Sequence, residues 1–243
     1  MAGSAAIFAR TLSTILRSSA ILALYASIAV LAVAVTVALT GTLGLKPLAA
    51  AAPTSPAIGA ILGISGCLAA LISGGLVFTV LFGAPLTREQ TTGGIIAVVA
   101  SSAGARRTWI ARSLALWAVA AIAAIVSAAA SVIVMRWVWA DAYPLAEIDG
   151  AYLLSMFTLV PLFLLGMALV VTAVGLTAGA IAGTVAANVI YVAATTTMGR
   201  LAGSGISTSW YAGAFVILAG VLLIAGVGCA AFVTRERVVL ACR

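Results

Sequence analysis

Six long apolar runs follow one another along the chain, each bounded by glycine, proline or a short polar link. The first covers about residues 20–42, ends near Gly41 and Gly44, and is followed by a link marked by Pro47, Pro53 and Pro56. The second covers about 57–83, the third about 109–135 and the sixth about 211–233. Each is close to the roughly 20 residues that a helix needs to cross a bilayer. The fourth and fifth, about 151–174 and 177–198, follow almost without a break. Together they are too long for one crossing and suit two, so a tight turn is expected near "GLTAG", residues 175–179. The roughly 10-residue alternation of a membrane β-barrel is missing, and an open sheet cannot satisfy its backbone in lipid. The pattern predicts an all-α integral membrane protein of one domain, residues 1–243, with six transmembrane helices.

Two shorter stretches differ from these runs. In residues 4–18, Ile7, Phe8, Thr11, Leu12, Ile15 and Leu16 recur at helical spacing, with Arg10, Ser13, Thr14 and Arg17 on the remaining surface. That is the pattern of an amphipathic helix lying in the membrane interface. A signal peptide is a poor alternative, because the apolar run behind these arginines is about 22 residues, against 7–15 for a signal core. The second stretch is "LTREQTTGGIIAVVASSAGARRTWIARS", residues 86–113, which holds Arg88, Glu89, Arg106, Arg107 and Arg112. Pro85 breaks the preceding run, Thr87 suits an N-cap, and Ile95, Ile96, Val98 and Val99 provide an apolar face, which predicts a short helix along the membrane surface over 86–108. The alternative from pattern alone is an ordinary basic loop.

Composition agrees with the pattern. Apolar residues make up 65% of the 243 and charged residues 7%, with a mean hydropathy of +1.30, far from the soluble balance of about half apolar and a quarter charged. The net charge of +7 comes from basic residues scattered at the ends of apolar runs, which form no patch for nucleic acid. They set orientation instead. With the N-terminus inside, nine basic residues fall in cytoplasmic segments and three, Lys46, Arg136 and Arg200, outside, so both termini are expected in the cytoplasm of a plasma (inner) membrane. Cys67, Cys229 and Cys242 show no metal or disulfide spacing, and histidine is absent, which removes the commonest metal ligand and general base. No metal site or catalytic residue is expected. Gly59 with Gly63, and Gly175 with Gly179 and Gly183, have the spacing that lets membrane helices approach closely. Asn188, the only asparagine, shares a face of the fifth run with Tyr191 and Thr195, a polar stripe that suits either helix packing or a substrate path.

The charged stretch resembles the segment after the second helix in permease subunits of type 2 ATP-binding-cassette exporters, typically "ERExGTLELLLATPVSRRELLLGK". Without gaps, Glu89 matches the first acidic residue, Gly93 the glycine, Ala100 the alanine before the turn, Arg106 a basic residue of the turn and Arg112 the closing basic residue. Thr91 replaces the second glutamate and Ser102 the proline. The resemblance extends to six spans, inside termini, an interfacial N-terminal helix and a short link between the fourth and fifth spans.

It implies that 86–108 contains a coupling helix between helices 2 and 3. Glu89, Gly93, Arg106, Arg107 and Arg112 would contact a cytoplasmic ATPase. It further implies two ATPase subunits that hold ATP and Mg, a second permease, identical or homologous, surrounding membrane lipid, and export of a hydrophobic or amphipathic drug, peptide or lipid-like substrate. The chain itself has no GxxxxGK[ST], and its only lysine, Lys46, falls in an outer loop, so it is not read as the ATPase. The alternatives are an ion-coupled secondary transporter or channel, for which intramembrane charge would be expected, and a non-transporting membrane scaffold.

Orientation is directly testable. Cysteines placed at Glu147 and Ser204 should react with an impermeant thiol reagent added outside, and one at Ser102 should not. The reverse labelling pattern would invert the topology.

Overall fold

The computed structural model describes residues 2–16, 55–81, 104–139, 148–203 and 208–240, and every element among them is helical. In hydrocarbon a backbone must satisfy its own polar groups, and a helix does so within one segment. Helix α1 is Ala2–Leu16, α2 is Ser55–Leu81 and α3 is Gly104–Trp139. Helix α4 is Gly150–Ala178, α5 is Ala180–Gly203, α6 is Thr208–Gly228 and α7 is Arg235–Leu240. Five of them, α2 to α6, are long and apolar enough to cross a membrane. The first expected span, about 20–42, lies outside the described residues, as does the expected coupling segment between 86 and 103.

Helices α2 and α4 occupy the middle of the bundle. In their membrane windows 72% of residues are buried, against 22% for α5 and 17% for α6. Missing side chains bring the two together: Tyr152, Met156 and Leu164 of α4 fill the space that a methyl group would need at Gly63, Gly66 and Gly74 of α2. The paired positions advance together along both helices, so α2 and α4 run parallel. A second glycine contact joins α4 to α6, where a methyl on Gly166 would lie 2.8 Å from the backbone of Leu222 and Leu223, and one on Gly226 would lie 2.7 Å from the Leu169 Cβ. That pair is parallel too. Close approach of this kind is how membrane helices associate where lipid offers no hydrophobic drive.

Helix α3 runs against α4 and is tied to it by indoles. Trp117 Nε1–H donates to the Pro161 carbonyl at 2.9 Å and Trp109 Nε1–H to the Leu169 carbonyl at 2.9 Å. Donors and acceptors are each eight residues apart, about two turns, and their order is reversed between the helices, as an antiparallel pair requires. On the opposite side α5 runs against α2, with the Tyr191 ring over Gly75.

Two local features interrupt regular helix. Pro161 has no N–H, and its ring crowds the preceding turn. Just ahead of it α4 widens into a π-helical turn, Ser155–Leu159, with the Val160 N–H donating to the Ser155 carbonyl. Between α4 and α5 only Gly179 is non-helical, at φ +96°, a conformation that favours glycine. The turn expected within 175–179 is therefore one residue, and Gly179 makes a corner rather than a packing contact. At the other end of the chain, α1 lays Phe8, Thr11, Leu12 and Ile15 against the bundle, in contact with α3, while Arg10 and Ser13 stay exposed.

Glycine substitutions test this packing. Gly166→Ala and Gly63→Ala drive a methyl into backbone and into the base of a tyrosine side chain, and each should lower stability by about 1–3 kcal/mol. Gly220→Ala meets nothing within 4 Å and should be neutral or slightly stabilising. Unfolding of the purified variants in detergent measures the difference, and equal stability of all three would contradict the packing described.

Candidate functional site

The first candidate site begins at the N-terminal end of α3. Glu89 and Gly93 lie outside the described residues, whereas Arg106, Arg107 and Arg112 lie within them. Helix α3 starts at Gly104, φ +72°, rather than near 109, so Ala105, Arg106, Arg107 and Thr108 belong to the membrane helix and not to a separate loop. Thr108 Oγ1 donates to the Gly104 carbonyl at 3.0 Å within this first turn. At 36 residues and about 1.5 Å per residue, α3 extends about 54 Å, well beyond a hydrocarbon core of about 30 Å.

The three arginines divide into two environments. Arg106 and Arg107 are exposed, while Arg112 is only 4% exposed and interacts inside the chain. The first two face away from the bundle; the third is buried on the inner face of α3. Both exposed arginines sit at a helix N-terminus, where the backbone dipole is itself positive and opposes a cation by about 0.3–1 kcal/mol each. Helix stability is therefore not what places these charges here.

The polar stripe on α5 lies against α2. Asn188 Nδ2–H donates to the Thr184 carbonyl at 2.9 Å, and Thr79 Oγ1–H of α2 donates to Asn188 Oδ1 at 3.5 Å. Thr195 Oγ1–H is satisfied within its own helix by the carbonyls of Tyr191, 2.8 Å, and Val192, 3.2 Å. All three stripe residues are half-buried. The arrangement joins two helices through a neutral pair, at low cost in an apolar setting. Among the described residues no three acidic or thiol side chains gather to hold a metal ion.

Several participants carry no mark in the sequence that periodicity would notice. Thr79 is one of three hydroxyl residues in the second run, with Ser65 and Ser73, and Trp117 is set apart only by its depth in the third run. A buried indole N–H needs an acceptor, and that requirement is the signal that leads to the Pro161 carbonyl. No family model matches the chain, and no curated protein and no solved structure matches it.

Asn188→Leu separates the two uses of the stripe. A packing role predicts a stability loss of about 0.6–2 kcal/mol with substrate selectivity unchanged. A lining role predicts altered selectivity in a protein that still assembles. A variant equal to the parent in both would remove the stripe from the account.

Proposed function

We propose that this chain is the membrane-spanning permease subunit of an ATP-binding-cassette exporter, moving a hydrophobic or amphipathic substrate with ATP hydrolysed by separate subunits. The observation that supports this best is the continuity of α3. Exposed Arg106 and Arg107 lie at the tip of a single 36-residue helix, so force applied at the tip reaches the membrane without an intervening joint. A helix at subunit contacts that moves as one piece is a common device for passing a conformational change on.

In this reading two ATPases close around ATP and Mg, pull on the segment over 86–108, and tilt or shift α3. Helix α4 follows, because Trp109 and Trp117 bind its carbonyls. Charge-assisted contacts from Arg106 and Arg107 hold the ATPase. The stripe at Asn188, Tyr191 and Thr195 lies on the opposite side of the α2–α4 centre, where a change in helix spacing would open or close a route. A second permease completes the translocation unit, and lipid covers the branched apolar faces of α5 and α6, including Val185, Val189, Ile217 and Ile224. Helix α1, with Arg10 outward, rests at the cytoplasmic interface.

Co-expression with candidate ATPase subunits of the same organism tests the proposal. The parent chain should retain an ATPase through purification. The Arg106→Glu, Arg107→Glu double variant should insert normally while transport per ATP hydrolysed falls at least about tenfold. A chain that purifies alone with every candidate would favour the ion-coupled or scaffold readings.

A further inference from the structure

After α6 the chain passes through a 3₁₀ turn, Cys229–Ala231, and reaches α7 after a short bend. The bend is fixed by its own hydrogen bonds. The N–H groups of Phe232 and Val233 both donate to the Cys229 carbonyl, at 2.9 and 3.2 Å, and the Thr234 N–H donates to the Phe232 carbonyl at 3.0 Å. Thr234 then opens α7, its hydroxyl accepting the Arg237 N–H at 3.5 Å and its carbonyl the Val238 N–H at 3.2 Å. The Arg237 guanidinium lies over the Phe232 ring, 5.4 Å from its centroid.

This geometry turns Val233 and Val238 inward until both are fully buried. They bury against Ala105 and Trp109 at the base of α3 and Ala173 and Leu176 at the end of α4, in a cluster separate from the main core. A six-residue helix has no stability of its own in water. Its reason for forming is the surface it covers. Trp109 is the hub, since its ring joins this cluster while its indole N–H holds the Leu169 carbonyl.

We propose that this arm, Cys229–Leu240, is a clamp that fastens the inner ends of α3 and α4 together and sets the position from which Arg106 and Arg107 are presented. Its outward side carries exposed Phe232 and Arg237 beside that same base, so a subunit docked on Arg106 and Arg107 also meets the arm. The functional meaning rests on the permease reading; the clamping itself does not.

Thiol labelling of the purified full-length chain tests the clamp without any partner. In a background of Cys229→Ala and Cys242→Ala, with fully buried Cys67 retained, Ala105→Cys reports on the base of α3 and Ala120→Cys on the core of the same helix. Val238→Asp should speed maleimide labelling at 105 by about tenfold or more and leave 120 protected, and Val238→Ile should change neither. Continued protection at 105 in Val238→Asp would overturn the clamp. Labelling at 105 and 120 rising together would overturn it as well, by showing the arm to be a general stability element rather than a local fastening.

Discussion

The seating of α4 side chains in glycine notches is the interaction on which the rest of the bundle depends. Between membrane helices there is no hydrophobic gain from leaving lipid, so contact has to come from fit. Tyr152, Met156 and Leu164 supply bulk, and Gly63, Gly66 and Gly74 supply its absence. Because the pairs recur along the helices, they fix the register of α2 against α4 and not only their proximity. Every other helix is then placed relative to this pair: α6 through Gly166 and Gly226, α3 through its two indoles, and α5 through Tyr191 over Gly75. Directions alternate from one crossing to the next, as consecutive crossings must.

Helix α3 is joined to both members of the α2–α4 pair, packing along α2 as well as α4. Helix α3 begins with two exposed arginines, and two indole bonds, from Trp109 and Trp117, tie it to α4, the C-terminal arm packing on Trp109 itself. The π-helical turn before Pro161 lies close to one of these bonds, Trp117–Pro161. After that turn α4 carries both indole bonds, the arm contacts and the Leu164–Gly74 notch; before it Tyr152 is seated against Gly63, and Met156 of the turn itself against Gly66.

Much of the fold was legible in the apolar runs. Residue ranges for the second to sixth spans match helices within a few residues, because lipid allows only long helices and punishes charge in the middle of them. The corner between α4 and α5 was legible from length, and Gly179 has the backbone conformation that such a corner needs. Helix α1 was legible from its period, and of the expected face Phe8, Thr11, Leu12 and Ile15 lie against the bundle, whereas Leu16 at its end is 52% exposed. What was not legible follows from abundance and from three-dimensional need. With 24 glycines in the chain, the spacing of Gly175, Gly179 and Gly183 had no more standing than that of Gly66, Gly74, Gly166 or Gly226, and a notch exists only when a large side chain faces it. Arg112 reads like its neighbours Arg106 and Arg107 in one dimension, but its position on the inner face of α3 buries it. The arm was hidden because Val233 and Val238 look like the end of the last apolar run, and only packing shows them folded back.

The central claim is that the tip of α3 receives an ATPase, and a photoreactive amino acid placed at position 107 tests it in intact cells. After irradiation the adduct at 107 should contain a protein with a P-loop nucleotide-binding motif, identified by mass spectrometry, and the same probe at the exposed position 133 of the same helix should capture none. Equal capture at both positions, or adducts at 107 that contain no ATPase, would contradict it.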